Sequence, residues 1–216
     1  MLAPELETAL LPAAPGPMEL PVMEHFYTLQ GEGAFAGHAA YFIRLGGCDV
    51  GCHWCDVKES WPLEGHPMFT LDELLALVAA TPAKLAVITG GEPFMHNLEE
   101  MCRRFAQAGI RLHVETSGAH PLTGKWDWIT LSPKKFKPAR PEYYAQAHEL
   151  KMVIYHPSDL KWAEEHRACV TAQGCLFYLQ PEWAKRERIE PLLVAYVKQN
   201  PAWRLSLQTH KYLGIE

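Results

Sequence analysis

The segment that decides the fold runs Gly46-Gly47-Cys48-Asp49-Val50-Gly51-Cys52-His53-Trp54-Cys55. Three cysteines lie within it, in the spacing Cys-x3-Cys-x2-Cys, on a short glycine-rich connection. The other cysteines are isolated from this group and from one another; they are Cys102, Cys169 and Cys175. Because no secretory signal is evident, we expect reduced thiols in a cytoplasmic protein rather than disulfides. A metal site is therefore the first interpretation of the three clustered cysteines.

Two kinds of metal site are compatible with three clustered thiolates. A [4Fe-4S] cluster normally takes four cysteine ligands, so three would leave one iron open to a ligand from outside the protein. A structural zinc ion would need a fourth ligand such as His53, and its ligands usually come in paired Cys-x2-Cys units. The spacing favours an iron-sulfur cluster, while a zinc site and cysteines that are simply buried stay open.

Outward from this segment, short apolar runs alternate with amphipathic stretches, which is typical of βα units around a parallel sheet. The predicted strands are 41–45, 85–89, 112–115, 128–131, 151–155, 176–179 and 204–208, with 22–29 on the edge of the sheet. The predicted helices are 71–80, 98–108 and 183–198, with weaker patterns at 142–149 and 159–167. The first helix follows a capping box, Thr70-x-x-Glu73.

Polar segments follow four of the predicted strands. They are Gly90-Gly91-Glu92-Pro93, Thr116-Ser117-Gly118, Ser132-Pro133-Lys134 and Thr209-His210-Lys211. In parallel α/β folds, the carboxyl ends of the strands share one rim, where ligands bind. These segments are therefore expected to meet in space, although they lie far apart in the sequence.

Composition limits the class of partner. The chain has 216 residues and a net charge of -5, and it has no long run of basic residues, so a small-molecule substrate is favoured over nucleic acid. Its apolar runs are far shorter than the roughly 20 residues that span a membrane. Residues 1–17 carry two early glutamates and four prolines, and we expect a flexible arm there. Residues 18–216 are long enough for one domain.

The cysteine segment resembles the motif of the radical S-adenosylmethionine superfamily, Cys-x3-Cys-x-aromatic-Cys, with Trp54 at the aromatic position. The Gly-Gly-Glu-Pro segment is similar to the one whose backbone holds the methionine amino group in that family. The resemblance implies a single-domain α/β fold, the partial, open β/α barrel. It also implies a [4Fe-4S] cluster on the catalytic Cys48, Cys52 and Cys55. S-Adenosylmethionine would bind the open iron and supply the radical chemistry, while the protein orients and shields it.

Three further segments narrow the resemblance: Tyr27-Thr28-Leu29-Gln30-Gly31-Glu32-Gly33, Ser132-Pro133-Lys134 and Ser206-Leu207-Gln208-Thr209-His210-Lys211. With the short chain, they resemble the 7-carboxy-7-deazaguanine synthase family over residues 22–216. That family's substrate is 6-carboxy-5,6,7,8-tetrahydropterin. The adenosyl radical takes a hydrogen from C6, the ring contracts and ammonia leaves, on the route to queuosine and related deazapurines.

The resemblance also implies roles for individual residues. The pterin would be contacted by Leu29, Gln30, Gly31, Glu32, Arg44, Thr89, His210 and the terminal carboxylate of Glu216. S-Adenosylmethionine would be contacted by Gly91, Glu115, Ser117, Ser132, Pro133 and Lys134. Arg44 interrupts an apolar strand, and a guanidinium suits the substrate carboxylate. The alternative for Gln30 and Glu32 is an ordinary polar turn, and for His210 an ordinary histidine.

One position departs from the family. Two residues after the third cysteine, where the family commonly has Thr or Ser as an Mg²⁺ ligand, this chain has Val57. Mg²⁺ prefers oxygen ligands and keeps several waters, so the loss should weaken binding or shift the site. Asp56 is a possible substitute, with a turn as its alternative role. We therefore expect a weak Mg²⁺ dependence, with Arg44 and Lys58 neutralising the substrate carboxylate.

Two other function classes stay open at this point. A glycyl-radical activating enzyme can share the cysteine spacing, the short chain and Gly-Gly-Glu-Pro, but the segments around Gln30 and His210 argue against it. A non-catalytic iron-sulfur or zinc module would not need the Gly91-Glu92 segment. The resemblance further implies a flavodoxin or ferredoxin as reductant and a homodimer.

Overall fold

The computed structural model describes residues 18–216, and the predicted arm at 1–17 lies outside them. The described residues form one nine-stranded sheet in the order β3-β1-β2-β4-β5-β6-β7-β8-β9. The strands are β1 Glu19–Leu29, β2 Ala39–Leu45, β3 Met68–Thr70, β4 Leu85–Gly90, β5 Arg111–Thr116, β6 Trp128–Leu131, β7 Glu149–Ile154, β8 Leu176–Pro181 and β9 Trp203–Leu205. The helices are α1 Leu71–Ala79, α2 Glu99–Gln107, α3 Pro141–Tyr144, α4 Asp159–Cys169, α5 Arg186–Gln199 and α6 Thr209–Leu213.

Strand direction divides the sheet into two parts. β1 is antiparallel to both β2 and β3, whereas each neighbouring pair from β2 to β9 is parallel. Within the described residues β3 and β9 are the two edges, so the sheet does not close. The predicted partial, open β/α barrel is confirmed. No helix within 18–216 is long and apolar enough to cross a membrane.

The core lies between the sheet and the helices. Alternate strand residues such as Ile43, Ile88 and Val114 are fully buried, and they share one cluster with Leu74 of α1 and Phe105 of α2. Full burial of such a side chain stabilises the fold by about 1.5–3 kcal/mol. Because side chains alternate across a strand, the residues between them project from the opposite face. That face carries polar and charged side chains toward the site.

Local sequence explains the most regular helix. The Thr70 hydroxyl accepts a hydrogen bond from the Glu73 backbone, and the Glu73 carboxylate accepts one from the Thr70 backbone at 2.8 Å. This reciprocal pair satisfies amides that the first turn leaves without partners. The capping box is thus confirmed, and helix α1 starts at the predicted residue.

Two predictions near element ends were wrong, and one strand was missed. The helix predicted at 142–149 ends at Tyr144, and Glu149 begins β7, because it pairs with Thr130 and Leu176 on the neighbouring strands. The last strand ends at Leu205 rather than 208, and α6 follows it. Strand β3 was not predicted, since its three residues form a strand only by pairing with β1. For Glu149 and for β3, a partner distant in sequence decides the conformation.

Candidate active site

A cavity of about 280 Å³ opens at the carboxyl ends of the parallel strands. Every predicted site residue except Pro133 lines it. Pro133 is buried between Ser132 and Lys134, both of which do line the cavity. The structure therefore brings together residues from the first strand to the last residue of the chain, as the shared rim of a parallel sheet requires.

The three clustered cysteines are free thiols on one side of this cavity. Cys52 is buried, and this burial raises the pKa of its thiol to about 11, against the lowering effect of Lys134. The backbone of the segment is fixed by Cys48 N, which donates to Trp61 O at 3.0 Å, and by Gly47 N, which donates to Ser60 O at 2.8 Å. The loop is thus ordered by its own main chain.

The surroundings of these thiols bear on the two metal hypotheses. Among residues 18–216, no three or more His, Cys, Asp and Glu side chains are placed to hold one metal ion. His53, the fourth zinc ligand considered above, instead packs its ring against Phe136 and Tyr155, with centroids 5.3 and 5.5 Å away. Three soft thiols on one cavity, with His53 packed against aromatic rings, fit an iron-sulfur cluster with one open iron better than a four-ligand zinc site.

The loop after β4 packs directly against the cysteine segment. Gly91 N donates to Leu45 O at 3.1 Å, and Glu92 N donates to Gly47 O at 2.8 Å. A Cβ on Gly91 would collide with Gly47 O and with the Cβ of Cys48. Glycine is thus needed here for a close approach of two backbones. The contact places the Gly-Gly-Glu-Pro segment beside Cys48.

Glu92 joins the loops after β4 and β5. Its side chain is 1% exposed and accepts hydrogen bonds from Thr116 Oγ1 at 2.6 Å, from Ser117 N at 2.8 Å and from Phe94 N at 3.2 Å. A buried carboxylate is stable only when it is satisfied in this way. Glu92 therefore positions Ser117, one of the predicted cofactor contacts.

Lys134 lies over the aromatic residue of the cysteine motif, with Nζ 5.8 Å from the centre of the Trp54 ring. Its Nζ also donates to Ser132 O at 2.5 Å and to Ser132 Oγ at 2.6 Å. Burial lowers the pKa of this ammonium, while Cys52 opposes the shift. The neighbouring Lys135 and Lys137 point elsewhere, toward Asp159 and Asp49. Only Lys134 of these three lines the cavity.

At the other end of the cavity, Gln30 and Glu32 form part of a hydrogen-bonded floor. Glu32 N donates to Gln30 Oε1 at 3.0 Å, and Gln30 Nε2 donates to Glu115 Oε1 at 3.0 Å. Gln208 Nε2 donates to Glu32 Oε1 at 2.8 Å, and Lys151 forms an ion pair with Glu32. Burial alone would raise the pKa of Glu32, but Lys151 and Gln208 outweigh it and lower the pKa to about 2. Glu32 is thus an ionised acceptor.

The remaining predicted substrate contacts surround this floor. Arg44, 18% exposed, donates from Nε to Glu24 Oε1 at 2.6 Å. The His210 ring lies against Gly31, where a Cβ would collide with it, and burial lowers the pKa of His210. Thr28 Oγ1 donates to the backbone oxygen of Glu216 at 2.9 Å and so holds the chain terminus at the cavity.

The region of the predicted Mg²⁺ departure lies on the same wall. Val57 and Asp56 both line the cavity. The Asp56 carboxylate is paired with Lys211 Nζ at 2.6 Å, and Lys58 Nζ lies 5.8 Å from the centre of the Trp61 ring. The structure therefore gives Asp56 a partner within the protein, and Val57 contributes only apolar atoms.

Sequence reasoning missed several residues of the cavity. Lys151, Gln180 and Gln208 lie on its floor, and Glu24 pairs with Arg44. Lys151 interrupts the apolar strand β7, which is the same signal that identified Arg44 in β2. Gln208 lies in the Ser206–Lys211 segment that carries the resemblance, although it was given no role. Gln180 carries no comparable signal, because a polar residue near a strand end is common.

Comparison with known proteins gives a consistent result. The Radical SAM superfamily matches residues 42–151. The chain is 54% identical to the 7-carboxy-7-deazaguanine synthase of Flavobacterium psychrophilum, over 91% of this chain and 92% of that one. It is 50% identical to the protein of that name from Synechocystis sp., over 90% and 93%. The crystal structure of QueE from Escherichia coli matches with a TM-score of 0.78 at 31% identity, covering 88% of this chain and 93% of that one.

Proposed function

The chain belongs to the 7-carboxy-7-deazaguanine synthase family of the Radical SAM superfamily, and we propose that the cavity described above is its active site. The reaction is the conversion of 6-carboxy-5,6,7,8-tetrahydropterin to 7-carboxy-7-deazaguanine and ammonia, a step toward queuosine. The observation that carries this assignment is the convergence of Cys48, Cys52 and Cys55 with the Gly91 loop and the Gln30–Glu32 turn on one cavity.

Each wall of the cavity suits one part of this chemistry. Cys48, Cys52 and Cys55 would hold a [4Fe-4S] cluster. The group of Gly91, Glu115, Ser117, Ser132 and Lys134, with Pro133 supporting its two neighbours, would hold S-adenosylmethionine. When bound, these two cofactors supply the 5′-deoxyadenosyl radical that takes the C6 hydrogen. The protein's part is to orient both ligands and to exclude water.

The opposite wall suits a pterin. Its flat edge carries N–H donors and carbonyl acceptors, which the Gln30 and Glu32 side chains and the backbone of Leu29 and Gly31 can satisfy. Arg44 offers a guanidinium to the substrate carboxylate. Thr89, His210 and the terminal carboxylate of Glu216 complete the wall.

Family membership argues against the alternatives. A glycyl-radical activating enzyme must admit a protein backbone, whereas the floor of this cavity consists of paired polar side chains. A zinc module is disfavoured because His53 packs against aromatic rings and does not line the cavity.

We further propose that Mg²⁺ binds only weakly, because Val57 offers no oxygen and Asp56 is paired with Lys211. Residues 18–216 would form a single domain. Two copies of the chain would form a cytoplasmic homodimer, which would receive its electron from a flavodoxin or ferredoxin. These proposals rest on the family and on the composition of the chain.

The test of the activity is an anaerobic assay. Reconstituted protein is mixed with reductant, S-adenosylmethionine and 6-carboxy-5,6,7,8-tetrahydropterin, and the products are read by mass. We expect 7-carboxy-7-deazaguanine together with 5′-deoxyadenosine. Cleavage of S-adenosylmethionine with no deazaguanine, although the pterin is present at saturation, would contradict the proposed substrate. Cluster binding without any cleavage would favour the non-catalytic module.

A further inference from the structure

Lys151 is a buried lysine in an otherwise apolar stretch of β7. It is 4% exposed, and its neighbours Leu150 and Met152 are fully buried on the opposite face of the sheet. Placing an unpaired ammonium in such a position costs several kcal/mol, so a buried lysine needs partners. Lys151 has two: it is ion-paired with Glu32, and its Nζ lies 3.5 Å from Glu115 Oε2.

These two carboxylates come from distant parts of the chain, and both line the cavity. Each is also held by a glutamine, since Gln208 donates to Glu32 at 2.8 Å and Gln30 donates to Glu115 at 3.0 Å. Gln30 also accepts a hydrogen bond from Glu32 N at 3.0 Å, so its side chain connects the Glu32 backbone with the Glu115 carboxylate. Lys151 is the cation at the centre of this floor.

Removing the cation would change the chemical character of the floor. Two carboxylates close together in a poorly solvated site repel each other, and one of them gains a proton. A protonated carboxyl group carries an O–H donor, and it presents less acceptor capacity than the anion. The edge of a pterin offers N–H donors, so a neutral carboxyl group is a poorer partner for it.

We propose that Lys151 is a positioning residue for substrate recognition: it keeps Glu32 and its other partner Glu115 ionised and oriented, so that Glu32 accepts hydrogen bonds from the N–H groups of the pterin. This inference rests on the proposed function and deepens it. Lys151 acts through the two carboxylates.

The test is the dissociation constant of 6-carboxy-5,6,7,8-tetrahydropterin, measured anaerobically with S-adenosylmethionine over a range from about pH 5.5 to about pH 8.5. Lys151→Met should weaken binding about tenfold or more, and the ratio of its dissociation constant to that of the wild type should grow as the pH falls. The ratio removes effects common to both proteins. The other titratable groups facing this floor are Glu149, His210 and Lys134.

Three variants complete the experiment. Lys151→Arg retains the charge and should show a ratio that does not change with pH. Lys151→Met combined with Glu32→Gln removes one charge of each sign, so it should fold even where the single variant does not, and its ratio should vary less with pH. Lys135→Met is the matched control, because Lys135 pairs with Asp159 outside the cavity, and it should bind as the wild type does.

The outcomes separate the hypotheses. Wild-type affinity in folded Lys151→Met, or a loss that is equal at every pH and not relieved by Lys151→Arg, would overturn the inference alone. A double variant that folds and binds with the wild-type constant would overturn it as well. A wild-type protein that does not bind the pterin would overturn the proposed function together with the inference.

Discussion

Cys48, Cys52 and Cys55 differ from Cys102 in where their thiols lie. The first three line the cavity, while Cys102 is 4% exposed within the core, where burial raises its pKa to about 12. We predict that replacing any one of the three by Ala removes turnover and degrades the cluster, because three thiolates are the minimum that holds the cluster while one iron stays open. Cys102→Ala should retain both. Iron and sulfide content and the visible absorption spectrum measure the cluster, and a fully loaded, active Cys52→Ala protein would refute the ligand assignment.

Arg44 lies at the boundary between the sheet and the substrate side of the cavity. Arg44→Lys should weaken pterin binding by about tenfold or more, because lysine keeps the charge but lacks the planar fork that binds a carboxylate through two hydrogen bonds. Cleavage of S-adenosylmethionine without product should persist. The paired measurements are the pterin dissociation constant and the rate of 5′-deoxyadenosine release. Lost cleavage with unchanged pterin affinity would instead assign Arg44 to the surroundings of the cluster.

The valine at position 57 leads to a prediction about the Mg²⁺ requirement of turnover. A valine supplies no oxygen, and Asp56 is held by Lys211 at 2.6 Å, so turnover by the wild-type protein should depend only weakly on Mg²⁺. In Val57→Thr, a hydroxyl is restored and a saturable requirement should appear. Chelator-treated protein is titrated with Mg²⁺ at saturating pterin. A steep, saturable requirement in the wild type would show that another group binds the ion.

At the scale of elements, the sequence predicted the strands and helices that local sequence patterns determine. Seven parallel strands were identified because each is a short apolar run, and α1 was identified by its capping box. What failed depends on distant partners: β3 forms a strand only against β1, and Glu149 joins β7 rather than a helix because strands lie on both sides. Local propensity is a weak guide at such positions.

The site shows the same division. Residues in recognisable motifs were predicted, and the structure gathers all but Pro133 around one cavity. Lys151 and Glu24 were not predicted, since their importance arises from the register of the strands and from partners elsewhere in the chain. Lys151 could have been found, because a lysine among apolar strand residues must be either paired or functional.

The contact between two loops gives a prediction at this scale. The loop after β4 lies so close to the cysteine segment that a Cβ on Gly91 would meet Gly47 O and Cys48. Both obstacles belong to ordered main chain or to a proposed cluster ligand, so Gly91→Ala should push the loops apart and reduce turnover by about a hundredfold or more. Gly65→Ala has open space around it and serves as a control for an added methyl group in a nearby loop; its positive φ of 89° should lower stability by about 1–2 kcal/mol without moving the cavity loops. Wild-type turnover in Gly91→Ala would show that the close approach is dispensable.

At the scale of the whole molecule, the charged floor links segments that the sheet alone does not hold together. The Lys151–Glu32 pair spans 119 residues of sequence, and the Gln208–Glu32 hydrogen bond spans 176. The first strand, the middle of the sheet and the C-terminal segment therefore meet at one carboxylate. Breaking a buried ion pair by removing one partner typically costs about 3–5 kcal/mol. Glu32 thus serves substrate recognition and also contributes to global stability.

This dual role predicts how stability depends on pH. The pKa of Glu32 is about 2 in the folded protein, against 4.5 as the ordinary value, so the folded state favours the ionised form. The stability that Glu32 contributes is fully present above about pH 5 and is lost as the pH falls toward about 2. We therefore expect Glu32→Gln to be less stable than the wild type by about 3 kcal/mol at neutral pH. The difference should be constant down to about pH 5 and smaller by about 1 kcal/mol at about pH 3.5.

The free energy of unfolding in urea, measured across this range, checks the prediction. Glu187→Gln, at a side chain that is 90% exposed, should follow the wild type throughout. If the gap between Glu32→Gln and the wild type kept its neutral-pH size at pH ~3.5, the stabilising role of the ionised carboxylate would be refuted.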